Sequence, residues 1–219
     1  MVRVGGGFSG CKADLSCKPE DYPPLPFEMP AFGSRVLELG SGLGQDTRNL
    51  ADAGYCVLGV EESGEAAAEA KAITGKSAPW LSDDAMARFE LVNYDALALP
   101  TPLERIAMLV DMTVHCGMRH RYLARMYEVW ERLLTPGHTI MMISCWKGEV
   151  GSVDGTPPPV PIYKEDMVMD FAPMVEILHS ESSMKNQERG GPDDGAWCVW
   201  LRFKPVQERA GSLAEKREL

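Results

Sequence analysis

The sequence predicts a doubly wound α/β domain: a mostly parallel sheet with helices on both faces and an antiparallel hairpin at its C-terminal edge. Three observations point to it. From Ser34 onward, short apolar runs alternate with segments of helical period. The first apolar run opens into a glycine turn and then a helix. The last two runs instead follow one another across a polar, Gly-rich stretch, 186–195. Strands alternating with helices build βαβ units, hence a parallel, Rossmann-like sheet.

The elements read in order as follows. Residues 35–39 form a first strand, Gly40, Gly42 and Gly44 a turn, and residues 46–53 a helix ended by Gly54. Residues 55–60 are a second strand. Residues 65–73 are Ala-rich and helical, ending near Gly75. Residues 89–94 and 106–110 are the third and fourth strands. Residues 119–134 form a long amphipathic helix with Tyr122, Met126, Val129, Trp130 and Leu133 along one stripe, broken by Pro136 and Gly137. A fifth strand covers 138–145, and 175–181 pairs with 197–203 in the terminal hairpin. These elements together span a domain of residues 34–205. Before it, residues 1–33 form an irregular arm, since Pro19, Pro23, Pro24, Pro26 and Pro30 exclude a long helix from Pro19 onward. Residues 206–219 are a charged tail.

Composition narrows the function. The 219 residues are 45% hydrophobic and 25% charged, as in an ordinary globular protein. No apolar run reaches the ~18 residues a membrane helix needs, and residues 1–10 do not read as a secretory signal. Acids outnumber bases 32 to 22, for a net charge of −10, and no basic run is visible, which argues against a nucleic-acid partner. The basic stretch from Arg119 to Arg125 reads as a solvated helix face. Six scattered cysteines without a CxxC pair argue for the cytoplasm or another reducing compartment, with no metal site.

The strand–glycine loop–helix unit carries the chemistry. A nicotinamide fingerprint would need a third glycine at position 45, which is Gln45. The actual order is Glu38, Gly40, Ser41, Gly42, Gly44. Even glycine spacing, with an acid two residues before the first, resembles motif I of S-adenosylmethionine-dependent methyltransferases. The physics agrees. That cofactor has no pyrophosphate for a helix N-terminus. Its amino-acid end approaches backbone groups closely where no Cβ intervenes. Glu38 would assist with the ammonium or order the loop. The second strand ends in Glu61, with Glu62 beside it, where ribose hydroxyls lie in this architecture and where a carboxylate can accept two hydrogen bonds. By the same resemblance, the turn Tyr94, Asp95, Ala96 after the third strand would read the adenine, with Asp95 facing its exocyclic amine. Asp111, after the fourth strand, completes the expected cofactor set.

A narrower resemblance rests on the stretch Asp111 to Met118, the helix after it, the turn Leu134 to Gly137, the Pro-rich run Gly155 to Val160, and Glu165 to Phe171. In this order they resemble the thiopurine and halide/thiol methyltransferase family, over about residues 34–203. The family implies a single-domain enzyme that moves a methyl group to a soft small-molecule acceptor such as a thiol, halide or thiopurine. Thr113, Val114 and Cys116, with Trp146 and Pro158, are then expected to line the acceptor pocket. His115 is the best-placed base for a thiol, whose ordinary pKa is about 8.5. Here the turn holds Met112, Val114 and His115 where the family more often has aromatic residues. A rival reading is a non-catalytic protein that keeps the fold and serves as a subunit or regulator with a protein partner.

Overall fold

The structure, a computed structural model, describes residues 25–76, 82–100, 105–112, 114–147, 169–170, 174–182 and 195–204. In chain order these form β1 (Arg35–Leu39), α1 (Gln45–Asp52), β2 (Cys56–Glu61), α2 (Gly64–Lys76), a short α3 (Asp83–Met86), β3 (Phe89–Asn93), β4 (Met108–Met112), α4 (Val114–Leu133), β5 (Ile140–Lys147), β6 (Val175–Ser182) and β7 (Gly195–Phe203). A 3₁₀ turn, Ala96–Ala98, follows β3. The seven strands make one sheet in the order β3-β2-β1-β4-β5-β7-β6. The first five run parallel, and β7 pairs antiparallel with both β5 and β6. The expected fold class, terminal hairpin included, is the one observed. The chain order reverses between β1 and β4, so a crevice opens beyond their carboxyl ends.

Strand alternation decides which side chains meet which helices. Leu37, Leu39, Val60, Leu109, Met141 and Ile143 pack against Met126, Val129, Trp130 and Leu133 of α4. On the other face, Val36, Val57, Met108, Val110, Ile140 and Met142 pack with Leu50 and Ala51 of α1. Leu25, Phe27 and Met29 lie over this second cluster, alternating with exposed Pro26 and Glu28. The described end of the Pro-rich arm is therefore laid across the sheet, and the Tyr55 hydroxyl donates to the Pro30 carbonyl at 3.2 Å. Residues 1–24 and the tail 206–219 lie outside the described residues. No helix among the described residues is long and apolar enough to cross a membrane.

Three expectations are corrected. β4 begins at Met108 rather than Ile106, because pairing with β1 starts at Val36 and Met108, while Ile106 makes only an isolated bridge to Leu134. α4 begins at Val114, five residues earlier than expected, because the Asp111 carboxylate accepts the His115 N–H at 3.0 and 3.2 Å and satisfies the first turn. Tyr122 is 45% exposed and stands off the buried stripe of α4. The sequence reading also had no element at α3, whose first turn is capped by the Ser82 hydroxyl accepting from the Ala85 N–H.

Candidate functional site

The carboxyl ends of β1, β2, β3 and β4 converge on one edge of the sheet, and most of the expected site residues lie there. β1 feeds a loop in which Gly40, Gly42 and Gly44 all take left-handed backbone, with φ of 66°, 53° and 73°. The two outer glycines are held there by neighbours. A Cβ on Gly40 would lie 2.3 Å from Val114 Cγ2, and one on Gly44 would lie 2.8 Å from Leu91 Cδ1. A Cβ on Gly42 would meet nothing within 4 Å. The loop is thus anchored at both ends and presents open space at its middle, a cradle for a group that must approach backbone closely.

Glu61 closes this loop from β2. Its Oε2 accepts the Gly42 N–H at 2.8 Å, and its Oε1 accepts the Ser63 N–H at 2.8 Å. Each oxygen retains the capacity to accept a further hydrogen bond. Asn93, at the end of β3, donates from Nδ2 to the carbonyls of Glu61 and Glu62, both at 2.8 Å. Nothing in the sequence reading singled out Asn93, though a polar residue ending an apolar strand was a visible signal. Glu62 itself is exposed, and the hydrogen bond is to its backbone, so Glu61 rather than Glu62 reaches the loop.

After β3, the exposed Tyr94 and Asp95 lead into the 3₁₀ turn, where Asp95 Oδ1 caps the Leu97 N–H at 2.7 Å. Ala96 and Leu97 join Leu39, Val114 and Met118 around a small apolar recess floored by the buried Met126, Val129 and Trp130 of α4. The glycine loop, Glu61, the Tyr94–Ala96 turn and Val114 are therefore brought to one crevice.

Other expected residues are placed below it. Glu38 is 1% exposed and turned toward α1, where it accepts a hydrogen bond from the Thr47 hydroxyl. Burial pushes its carboxyl up to about 8, against the smaller downward pull of the Thr47 hydrogen bond. Thr47 stands in the first turn of the helix that follows the glycine loop, so this contact ties the end of β1 to the far side of the loop. Ser41 is 7% exposed beneath the loop, with its Cβ 3.1 Å from where a Cβ on Gly59 would sit. Asp111 is fully buried at the end of β4, engaged with the first turn of α4. Burial raises its carboxyl to about 6, with His115 and the backbone hydrogen bonds working the other way.

His115 does not open to the crevice. It is fully buried, its Nε2 lies 3.2 Å from Asp170 Oδ2, and its ring sits 5.9 Å from that of Trp130. A base must reach the proton it takes, and here the expected base is sealed against a carboxylate that lies 55 residues along the chain. Arg119, expected on a solvated face, also faces Asp170. Of the expected acceptor-pocket residues, Val114 lines the recess. Cys116 stands in the first turn of α4 and Trp146 near the end of β5, opposite Ala196. Thr113 and Pro158 lie outside the described residues.

Comparison with known proteins agrees with this architecture. Residues 36–137 match a family described as a methyltransferase domain. No curated protein matches the chain. Among solved structures, a SAM-dependent methyltransferase from Methanosarcina mazei superposes with a TM-score of 0.64 at 15% identity, covering 87% of this chain and 99% of that one. A glycopeptide N-methyltransferase complexed with S-adenosyl-L-methionine gives 0.59 at 17% identity, covering 78% and 82%. A structure described by the conversion of a disulfide bond into a thioacetal group during echinomycin biosynthesis gives 0.59 at 20% identity, covering 84% and 81%. At these identities the likeness is one of fold, and the fold is that of the class I methyltransferases.

Proposed function

We propose that this chain, whose residues 36–137 match a methyltransferase-domain family and whose fold is that of S-adenosylmethionine-dependent methyltransferases, is itself such an enzyme, that its glycine loop and Glu61 hold the cofactor, and that it methylates a small, soft acceptor such as a thiol, halide or thiopurine. The observation that carries the cofactor reading is the contact between Glu61 and Gly42 at 2.8 Å, beneath open space at the loop's middle. The residues present fit the group: backbone of Gly40 to Gly44 for the amino-acid end, Glu61 for the ribose hydroxyls, Asp95 and the Ala96–Leu97 recess for the base. When bound, the cofactor supplies an electrophilic methyl group on a sulfonium sulfur. The chain's own work is to orient the two reactants and keep the crevice dry. Glu61 and the loop fix one reactant, and Val114 and the recess supply apolar wall.

The acceptor reading rests on the family resemblance and on the burial of His115. With His115 turned to Asp170, the described residues of the segment after β4 offer an acceptor no base, which suits nucleophiles that arrive ionised. The domain limits, the reducing compartment and the small-molecule acceptor belong to this proposal as well. A panel of thiols of differing acidity, iodide, thiocyanate and a thiopurine tests it, with S-adenosylhomocysteine as the measured product. For thiols, the rate should rise with pH through each thiol's own ionisation, near 8.5 for an ordinary one. One limb common to every thiol, independent of its acidity and lost in His115→Ala, would restore His115 as the base. Cofactor binding with no turnover on any acceptor would favour the non-catalytic reading.

Glu61→Ala should weaken S-adenosylhomocysteine binding by about 2 kcal/mol, the range of hydrogen bonds to a charged group. Part of that loss comes through the loop, because Gly42 and Ser63 lose their acceptor as well. Isothermal calorimetry of wild type and variant measures it, and equal affinities would remove Glu61 from the site.

A further inference from the structure

Three polar side chains of α4 that the crevice does not use converge on one residue of the connection between β5 and β6. Arg119 donates from Nε to Asp170 Oδ2 at 2.5 Å and from Nη2 to Oδ1 at 2.9 Å, a two-pronged pairing. His115 Nε2 lies 3.2 Å from the same Oδ2, and the Tyr127 hydroxyl donates to the Asp170 carbonyl. Asp170 is 8% exposed. Burial alone would raise its carboxyl, but the His115 and Arg119 hydrogen bonds and the Arg119 charge outweigh it and hold the group down at about 2. The clamped carboxylate is therefore charged at neutral pH, and removing it strands a cation in a largely buried place.

The same first turn of α4 touches the glycine loop. Val114 fills the space a Cβ on Gly40 would need, and the neighbouring His115 N–H is tied to Asp111, which lies opposite Leu39 in the sheet. Gripped at His115 and Arg119 on one side, this turn has little freedom to move away from Gly40 on the other.

We infer that Asp170 is a positioning residue for the cofactor loop: by clamping His115 and Arg119 it fixes the first turn of α4, and through Val114 it fixes Gly40. The inference rests on the reading that this loop binds S-adenosylmethionine. Asp170→Ala should weaken S-adenosylhomocysteine binding about tenfold, within the range expected when coupling runs through packed side chains. Asp170→Asn, which keeps the shape and an acceptor for Arg119, should fall between. Amide exchange of 114–118 and of Ser41 and Gly42 should quicken in the same order.

The control is Phe27→Ala, which loosens the opposite face of the sheet and should lower thermal stability while leaving affinity within about twofold. Should Asp170→Ala not fold, Arg119→Lys takes its place, since it keeps the charge and loses the two-pronged contact. Wild-type affinity in a folded Asp170→Ala or Arg119→Lys variant, or an equal loss in Phe27→Ala, overturns the inference. Absence of binding by wild type overturns the cofactor reading instead. The exchange rates at Ser41 and Gly42 then still decide whether Asp170 governs the loop, unchanged rates refuting it.

Discussion

Gly40→Val is expected to abolish cofactor binding, and Gly40→Ala to weaken it by about a hundredfold, or about 3 kcal/mol. Two costs combine. The backbone at Gly40 has φ of 66°, where a side chain costs about 1–2 kcal/mol. The new Cβ would also lie 2.3 Å from Val114 Cγ2, so either the loop or the first turn of α4 must shift. The turn is held by Asp111 and Asp170, leaving the loop to give way. Gly42→Ala serves as the contrast. It carries the backbone cost alone, since nothing lies within 4 Å of the added methyl. Adding Val114→Ala to Gly40→Ala should recover the part of the loss due to the contact, a coupling of about 1–2 kcal/mol in a double-mutant cycle, and leave the backbone cost. Calorimetry on wild type, Gly40→Ala, Val114→Ala, their double variant and Gly42→Ala measures this. Equal losses for Gly40→Ala and Gly42→Ala, with no recovery, would show that the contact with Val114 does not matter.

Glu38→Gln is expected to change how stability depends on pH. The folded-state pKa of Glu38, about 8, lies above its ordinary value of 4.5. Between these two values the folded protein holds a proton that the unfolded chain has released. Its stabilising contribution is therefore complete below about 4.5 and is lost as pH rises through about 8, with a slope of at most about 1.4 kcal/mol per pH unit. Asp111 acts in the same direction over a lower window, from 3.8 to about 6. Asp170 acts oppositely, its contribution being lost only as pH falls from 3.8 toward about 2. Glutamine keeps an acceptor for the Thr47 hydroxyl and has no proton to lose. The variant should thus be less sensitive to pH than wild type between about pH 6 and about pH 9, and the more stable of the two at the alkaline end. Urea unfolding across that interval decides it, and parallel profiles for the two proteins would mean that Glu38 is already ionised in the fold.

The sheet was legible because its central strands, β1 and β4 above all, are buried on both faces and read as short continuous apolar runs. The edge hairpin showed itself through the polar stretch that separates its strands. Glu38 was half legible. Strand alternation puts it on the face of Val36, toward α1, so a loop-ordering role could be argued, but its burial depends on Thr47 and the helix above. The start of α4 was hidden because Val114, His115 and Gly117 are weak helix formers, and the cap comes from Asp111, back inside the strand. The partners of His115 and Arg119 were out of reach of local pattern. Asp170 lies 55 and 51 residues away from them, and no spacing rule links a helix to a carboxylate at that distance. Glycine spacing and strand-end acids, by contrast, are local features. The structure brings those local features, Gly40, Gly42, Gly44 and Glu61, to one edge of the sheet.

The central claim is that the crevice at the carboxyl ends of β1, β2 and β3 binds S-adenosylmethionine and its product. Isothermal titration of the full chain with S-adenosylhomocysteine tests it most directly. The expected result is one site of micromolar-range affinity, about −8 kcal/mol, with no comparable heat from NADH. No heat at about millimolar ligand, or NADH binding as tightly, would contradict it.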